Sequence, residues 1–175
     1  LSDITKALPE NSVIQLHKQK EQMIIQSGAS RFALSTLPPT DFPTMGEMKS
    51  VASFSIEQDR LAKILQRTTF AMSQDDVRIY LNAVLLEIAD GSIKSVASDG
   101  HRLAFNSVSA KNDYSGNIQA IIPRKAVLQL TKILGSSTDK VEIHIGNNFL
   151  KAVTDEYILT TRLVEHKYPE YRKVI

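Results

Sequence analysis

The sequence predicts an α+β fold in which two helices pack on one face of an antiparallel sheet, in a protein built from repeated domains. Two stretches carry apolar residues at helical spacing, and they are separated by β-rich runs that end at turn residues. In addition, one order of elements occurs twice along the chain. These observations together indicate a unit of helix followed by antiparallel strands, present in two copies.

The repeat is clearest in two similar pentapeptides, ITKAL at 4–8 and LTKIL at 130–134. Three strand-like runs follow each pentapeptide, and each copy then ends in an aromatic residue before a proline, at Phe42 and at Tyr168. The period is close to the length of a whole domain and much longer than that of a solenoid repeat. The sequence therefore predicts successive domains of one fold.

The repeat also predicts where the domains meet. The first copy has three residues ahead of its pentapeptide, whereas the second has a long preceding stretch. We therefore expect residues 1–48 to be the C-terminal remnant of one domain plus a linker, and residues 49–175 to be a complete domain, in a piece excised from a longer chain. The prolines of PPTDFP at 38–43 favour an extended linker. A sheet cut in this way leaves an open edge in residues 12–37, which invites pairing with another chain.

The first elements follow from local composition. Residues 12–37 are predicted to form three strands, VIQLHKQ, QMIIQSG and SRFALSTL, with Gly28 at one turn. A helix is predicted to begin at Ser55, because Ser55 and Gln58 have capping-box spacing. Its apolar face comprises Leu61, Ile64, Leu65, Thr68 and Met72. Its basic face comprises Arg60, Lys63 and Arg67.

Four strands are predicted next: IYLNAVLLEIA at 79–89, SIKSVAS at 92–98, HRLAFNSVSA at 101–110 and GNIQAII at 116–122. The dipeptides Asp90-Gly91 and Asp99-Gly100 between them are typical of hairpin turns.

A second helix is predicted from Pro123 onward in PRKAVLQLTKIL, since proline is favoured where a helix begins. Its apolar side comprises Val127, Leu130 and Leu134, and the cations Arg124, Lys125 and Lys132 lie away from that side. The runs KVEIHIG, FLKAVTD and YILTTRL then complete a meander. Both helices therefore have a basic outer side, which is ordinary for a surface helix and is also what contact with DNA requires.

Composition limits the classes of function. The chain has no cysteine, which excludes a disulfide framework or a thiolate zinc site and fits a reducing cytoplasm. Its histidines lack ligand spacing, so neither a metal nor a cofactor is expected. No apolar run is long enough to span a bilayer. The net charge of +2 does not by itself indicate a nucleic-acid-binding protein.

The most polar motif is SDGHRL at 98–103. In an enzyme, Asp99 would orient His101 while Arg102 acted as an electrophile, but no nucleophile, phosphate loop or carboxylate pair lies near them in sequence. The motif is also compatible with a plain turn, or with a binding rim around an apolar depression. The segment YPEYRKV at 168–174 is either a domain-exit linker or part of the same depression, because domain junctions favour pockets.

Four motifs, in this order and spacing, resemble the bacterial sliding clamp family, the beta subunit of DNA polymerase III. They are DVRIYLN (76–82), ASDGHRLA (97–104), IIPRKAV (121–127) and YPEYRKVI (168–175). The resemblance covers the whole chain, as the end of the family's first domain and its complete second domain, with the third domain absent. It implies the DNA-clamp fold, in which the two pentapeptides belong to equivalent helices lining a ring.

The resemblance implies a non-catalytic processivity factor that tethers the replicative DNA polymerase to duplex DNA during chromosome replication. Such a ring is a homodimer of full-length chains, which this piece is not expected to form. Its DNA contacts are phosphate-directed and independent of sequence. Tyr80 matches the family pattern, whereas Ile79 and Asp75 depart from it. The implied DNA-facing residues are Arg60, Lys63, Arg67, Tyr80, Arg124, Lys125 and Lys132.

The resemblance also implies a pocket for short clamp-binding peptides of the DNA polymerase III catalytic subunit, the clamp loader and repair polymerases. These peptides typically have a glutamine followed by leucines and an aromatic residue, and an apolar floor would hold these anchors. Ser98 and Lys173 stand where the family commonly has threonine and arginine. The implied pocket residues are Leu81, Ser98, Gly100, His101, Arg102, Leu103, Pro169, Lys173 and Val174.

The principal alternative is a stand-alone α+β nucleic-acid-binding domain. That protein would bind linear DNA tightly and with a steep salt dependence. A piece of a clamp would bind linear DNA very weakly, because it lacks the topological hold of a closed ring.

Overall fold

A computed structural model describes residues 1–43, 46, 48–89, 91–110 and 116–175 of the chain. The chain forms two compact units, Leu1–Gly46 and Glu47–Ile175. Part of the predicted linker and Asp90 of the predicted Asp90-Gly91 turn lie outside the described residues.

The first unit is a short helix followed by an antiparallel meander. Its elements are α1 (Ser2–Ala7), β1 (Gln15–Gln19), β2 (Gln22–Ser27) and β3 (Ser30–Ser35), with strand order β1-β2-β3. The three predicted strands are confirmed. Gly28 has φ +56° in the tight turn between β2 and β3, a left-handed conformation that glycine adopts without strain.

The described residues of the second unit form two α-helices and eight strands. In chain order these are β4 (Ser50–Glu57), α2 (Gln58–Thr69), β5 (Ala83–Ala89), β6 (Ser92–Ser98), β7 (Leu103–Ser109), β8 (Ile118–Pro123), α3 (Arg124–Ile133), β9 (Lys140–Gly146), β10 (Phe149–Val153) and β11 (Ile158–Arg162). The strands form two antiparallel sheets, β11-β10-β9-β4 and β7-β6-β5-β8. The predicted α+β class is confirmed, and the single sheet expected from the sequence is two sheets.

The main core lies where both helices meet both sheets. Helix α2 buries Leu61, Ile64, Leu65 and Thr68, and α3 buries Val127 and Leu130, as their helical spacing predicts. The apolar ones among these side chains join residues of β4, β5, β8 and β9 in one cluster. Each large aliphatic side chain buried there stabilises the fold by about 1.5–3 kcal/mol.

Strand β5 is buried along its whole length, because its sheet is covered on both faces. Val84, Leu86 and Ile88 enter the main core beneath the helices. Ala83 and Leu85 alternate to the opposite face, where they form a second cluster with residues that include Tyr168 and Tyr171. The C-terminal segment therefore packs on the face of the sheet that the helices leave free.

Three predicted boundaries are wrong. Helix α2 begins at Gln58, not Ser55: Ser55 pairs with Glu142 inside β4, where a strand alternation that buries Phe54 and Ile56 overrides the capping-box spacing.

The other two boundaries concern strands. Residues Ile79–Asn82 form a short 3-10 helix, not the start of a strand, and the Asn82 amide bonds the backbone of Asp76 so that the loop folds back. His101 and Arg102 lie in a turn, and β7 begins only at Leu103.

The structure also has the repeated order predicted from the pentapeptides. Helix α1 precedes β1, β2 and β3 just as α3 precedes β9, β10 and β11, and each pentapeptide lies at the end of its helix. Among the described residues, no helix combines the length and apolar character needed to cross a membrane.

Candidate functional site

The turn between β6 and β7 is fixed by its own side chains. Asp99 Oδ1 accepts hydrogen bonds from the backbone N–H groups of His101 (3.0 Å) and Arg102 (3.1 Å), and these bonds lower the pKa of the Asp99 carboxyl. Ser98 Oγ donates to the Arg102 carbonyl oxygen (2.7 Å) and accepts from the Gly100 N–H (3.1 Å). The turn thus has one well-defined backbone conformation.

Arg102 is oriented by three contacts to two residues, Asp99 and Phe70. Its Nε donates to Asp99 Oδ2 at 3.0 Å, and its Nη2 donates to the Phe70 carbonyl oxygen at 2.8 Å. The guanidinium carbon also lies 5.7 Å from the centre of the Phe70 ring, within the range of a cation–π contact. Because the side chain is still 60% exposed, it presents a positioned cation to solvent.

Gly100 brings the turn against a second arginine. Its φ of +91° is one that other residues rarely adopt, and a Cβ placed on it would lie 3.3 Å from Arg78 Nη2. Arg78 is held by Asp76, which accepts from the Arg78 backbone N–H, Nε and Nη2 at 2.8–2.9 Å. The hydrogen bonds from Arg78 lower the pKa of Asp76 to about 2. Arg78 was not among the predicted site residues, because no local pattern distinguishes it from any other exposed arginine.

An open depression of about 560 Å³ lies beside this turn. Its lining combines the polar residues Ser98, His101 and Arg102 with apolar side chains such as Leu103 and Phe105. Such a combination suits a short peptide with apolar side chains. The lining residues are Ser98, Gly100, His101, Arg102, Leu103, Phe105, Val174 and Ile175.

Six predicted pocket residues line this depression: Ser98, Gly100, His101, Arg102, Leu103 and Val174. Leu81 does not line it, because its side chain is only 3% exposed and is packed inside the unit. Pro169 and Lys173 are exposed but lie outside the lining. Phe105 was not predicted, although strand alternation places it on the same face of β7 as Leu103.

The C-terminal wall of the depression is anchored to the sheet. Tyr171 is buried, and its ring stacks against Phe105 with 6.2 Å between centroids. Its hydroxyl and the Arg172 guanidinium both donate to the buried carboxylate of Glu87 on β5. Val174 and Ile175 follow this anchor directly and line the depression.

A second feature is the basic outer side of α2 and α3, which pack against each other. Lys63, Arg67, Lys125 and Lys132 are exposed. Within α2, Lys63 pairs with Asp59 at 2.8 Å, whereas the sequence of α3 contains no acidic residue. Arg60 is less available, because its Nη2 donates to the Ser109 carbonyl oxygen at 2.6 Å.

Tyr80 lies apart from the helix cations. It belongs to the short 3-10 helix before β5 and packs against the second cluster, on the sheet face away from the helices. Its ring centre is 4.6 Å from that of His166 and 6.3 Å from that of Tyr168. Arg124, at the start of α3, is partly buried.

The hydrogen bonds of Asp99 differ from the one that the enzyme alternative assigns to it, which is to orient the His101 ring. Asp99 accepts from the backbone of His101 and from the side chain of Arg102, and among the described residues it makes no hydrogen bond to the His101 ring. In the part of the chain that the structure describes, no group of three acidic or histidine side chains could hold a metal ion. The arrangement instead displays backbone, His101 and Arg102 at the edge of an apolar depression.

Comparison with known proteins gives the same relatives for both units. The family model of the DNA polymerase III beta subunit, N-terminal domain, matches residues 1–46, and that of the central domain matches residues 55–170. The beta sliding clamp of Pseudomonas aeruginosa is 42% identical over 100% of this chain and 48% of the relative. That of Escherichia coli K12 is 36% identical over 99% of this chain and 47% of the relative.

Comparison with solved structures finds the same kind of protein as comparison with sequences. The crystal structure of the DNA polymerase III subunit beta from Pseudomonas aeruginosa superposes with a TM-score of 0.88 at 42% identity, over 99% of this chain and 47% of that one. A second structure of that organism's sliding clamp, bound to griselimycin, has a TM-score of 0.87 at 42% identity over the same shares of the two chains. The chain thus spans about half the length of the relatives it matches. It belongs to the DNA polymerase III beta subunit family, the beta sliding clamps.

Proposed function

We propose that this chain is part of a DNA sliding clamp, the processivity factor that tethers the replicative DNA polymerase and other partners to duplex DNA during chromosome replication. The observation that carries the proposal is the 42% identity with a beta sliding clamp across the full chain. In this assignment residues 1–48 are the C-terminal part of the clamp's first domain with its linker, and residues 49–175 are its middle domain. The protein acts in the cytoplasm as a non-catalytic accessory subunit.

The basic side of α2 and α3 is the surface that faces DNA. Its exposed cations sit on long flexible side chains, which suit phosphate contacts that carry no sequence information. A ring holds the duplex by topology, so these contacts need only be weak and uniform along the backbone for the clamp to slide. The full-length protein forms the homodimeric ring.

The depression beside the Asp99 turn binds partner peptides. Leu103, Phe105 and Val174 supply an apolar surface for leucine and aromatic anchors, while His101 and Arg102 border the opening. Arg102 is held in place by Asp99 and by the Phe70 carbonyl, so it loses little side-chain entropy when a peptide binds. The partners are the DNA polymerase III catalytic subunit, the clamp loader and repair polymerases.

An NMR titration of the isotopically labelled chain tests the peptide site. The ligand is a pentapeptide of the type Gln-Leu-x-Leu-Phe, and the control is the same peptide with both leucines and the phenylalanine replaced by alanine. We expect amide shifts clustered at Gly100, His101, Leu103, Phe105 and Val174 with the first peptide only. Equal shifts with both peptides, or none in this cluster at millimolar concentration, would contradict the peptide site.

A stand-alone nucleic-acid-binding domain is the second candidate, because α3 carries three cations and no acidic residue. Fluorescence anisotropy with a linear DNA duplex distinguishes the clamp assignment from this second candidate. The clamp assignment predicts a Kd on the order of 10⁻⁴ M or weaker at physiological salt, the range of non-specific binding. Submicromolar binding to linear DNA would favour the second candidate.

The same assay locates the DNA surface. At low salt, the double variant Lys125→Gln with Lys132→Gln should weaken binding equally for unrelated sequences and reduce the salt slope by about 0.9 for each phosphate that is no longer neutralised. Lys140→Gln with Lys151→Gln, on strands β9 and β10, is the control with the same change in net charge. An equal effect of both pairs would contradict an interface on the helices.

A further inference from the structure

Glu87 is an ionisable side chain in the middle of β5 that is 0% exposed. By strand alternation it lies on the same face as Ala83 and Leu85, the face covered by the C-terminal segment. An apolar residue would cost less free energy at a buried position on this face, because burying a carboxylate costs several kcal/mol unless it is paired. A charged glutamate at this position therefore needs neighbouring groups that stabilise its carboxylate.

The carboxylate of Glu87 is saturated with donors from two directions. From the sheet, Gln119 Nε2 donates to Oε2 at 2.9 Å and Lys94 Nζ to Oε1 at 3.3 Å. Both residues are the direct cross-strand partners of Glu87, on β8 and β6. From the C-terminal segment, Tyr171 Oη donates to Oε1 at 3.2 Å and Arg172 Nη2 to Oε1 at 2.6 Å.

These four contacts keep the carboxylate charged despite its burial. Burial raises the pKa of Glu87, but the hydrogen bonds from Gln119 and Lys94 and the charge of Arg172 outweigh it, so the pKa stays below its ordinary value. The two sheet partners hold the carboxylate in place, and the two remaining donors belong to the short 3-10 helix Tyr171–Lys173. One buried group thus joins three neighbouring strands to one turn of the C-terminal segment.

The position of that turn determines the shape of the depression. The Tyr171 ring stacks on Phe105, which is itself a lining residue. Val174 and Ile175 follow the turn and line the depression together with Leu103 and Phe105. Both are 67% exposed or more, so their own packing contributes little to holding them there.

We propose that Glu87 is a positioning residue for peptide binding: it fixes the Tyr171–Lys173 turn on the sheet so that Val174 and Ile175 form one wall of the depression. The proposal rests on the function proposed above, since it concerns the same peptide site. Glu87 does not line the depression and acts through Arg172 and Tyr171.

The test compares Glu87→Gln with Glu142→Gln, which makes the same charge change on an exposed residue of β9. Peptide affinity is measured by NMR titration with the pentapeptide, at a temperature where thermal unfolding shows both variants to be fully folded. The backbone order of residues 171–175 is measured by ¹⁵N heteronuclear NOE. If the turn is in place for about a tenth of the time in Glu87→Gln, its peptide Kd rises roughly tenfold, whereas Glu142→Gln binds like the wild type.

A double-mutant cycle separates positioning from a merely structural role. Arg172→Gln removes the charged partner at the surface, where the side chain is 49% exposed, and so provides a variant that is expected to fold even if Glu87→Gln does not. If Glu87 acts through Arg172, Arg172→Gln weakens peptide binding on its own, and the double variant binds the peptide about as weakly as either single variant. Arg172→Lys, which keeps a cation, should recover part of the affinity.

Failure of the positioning role and failure of the proposed peptide site give different results. Unchanged peptide affinity and unchanged NOE values in Glu87→Gln, or in Arg172→Gln where Glu87→Gln does not fold, would overturn this inference and leave the peptide site intact. Strictly additive losses in the cycle would also overturn it, because they would mean that Glu87 acts by another route. If the wild type binds no peptide at all, the proposed site fails and the positioning role fails with it.

Discussion

Gly100 lies directly against the guanidinium of Arg78: a Cβ on Gly100 would be 3.3 Å from Nη2 and 3.5 Å from Nη1. The two residues belong to different segments. Arg78 directly precedes the 3-10 helix Ile79–Asn82, and Gly100 lies in the turn between β6 and β7. Their contact places a second arginine beside the turn that carries His101 and Arg102. Two separate physical effects, backbone strain and steric crowding, therefore oppose any side chain at position 100.

Gly100→Ala should destabilise the unit by about 1–3 kcal/mol, because φ is +91° and left-handed backbone is costly for alanine. Urea unfolding at pH 7 measures the change. The double variant with Arg78→Ala relieves the crowding but not the strain, so most of the loss should persist. Gly135→Ala is the control, since its φ lies outside the left-handed region and its nearest neighbour would be 3.8 Å away. Equal losses for both glycines would contradict the assignment of strain to Gly100.

Asp76 should make the stability of the unit sensitive to acid. Its pKa is lowered to about 2 by the hydrogen bonds from Arg78, whereas an unfolded aspartate titrates near 3.9. Because the folded pKa is the lower one, the contribution of Asp76 is complete above about pH 4 and is lost as the pH falls toward 2.

Urea midpoints for the wild type and Asp76→Asn, measured at intervals between pH 5 and pH 2, test this. The gap between the two proteins should be widest above pH 4 and should close in acid. Asp155→Asn, an exposed aspartate in the turn between β10 and β11, is the comparison. A gap that is constant with pH would show that the carboxylate charge of Asp76 is not what stabilises the loop.

The sequence was sufficient for the parts of the fold that depend on periodicity. The burial of Leu61, Ile64 and Leu65 on α2 follows from helical spacing, and so does that of Val127 on α3. The errors lie where two local signals compete. Ser55 satisfies the spacing of a capping box, but its neighbours alternate with period two, and a cross-strand ladder with β9 supplies more hydrogen bonds than one cap.

In the candidate site, too, local sequence patterns identify some residues and miss others. His101, Arg102 and Leu103 are contiguous and could be found from one motif, whereas Arg78 and Phe105 join the site only through tertiary contacts. Glu87 is still less accessible to sequence reasoning. Its partner Arg172 is far along the chain, and a glutamate inside an apolar run looks like a surface residue until the C-terminal segment covers it.

Ser55→Ala tests whether Ser55 contributes to stability as a helix N-cap or as a residue of strand β4. The loss of a helix N-cap costs about 1 kcal/mol, whereas an exposed serine in a strand contributes within about 0.5 kcal/mol. Since Ser55 lies in β4 with an exposed side chain, we expect the smaller value from urea unfolding. Ser50→Ala, at the start of the same strand, serves as the matched control. A loss near 1 kcal/mol at position 55 alone would mean that the helix begins there after all.

The contact between Thr68 and Ser95 tests how α2 is fixed on its sheet. Both residues are 0% exposed, and their hydroxyl oxygens are 2.6 Å apart, so a buried hydrogen bond joins the helix to β6. Thr68 Oγ1 also reaches the carbonyl oxygens of Ile64 and Leu65, at 3.2 Å and 3.1 Å. Thr68 therefore keeps a partner if Ser95 is removed, whereas in the described part of the chain the Ser95 hydroxyl bonds to Thr68 alone.

This asymmetry predicts unequal single substitutions and a non-additive pair. Thr68→Val leaves the Ser95 hydroxyl buried without a partner and should cost about 1–3 kcal/mol, more than Ser95→Ala. The double variant should cost less than the two losses combined, because it removes both polar groups together. Thr69→Val, whose hydroxyl donates to the Leu65 carbonyl oxygen of its own helix, is the control. Additive losses in urea unfolding would mean that the two hydroxyls contribute independently and that their hydrogen bond does not fix α2 on the sheet.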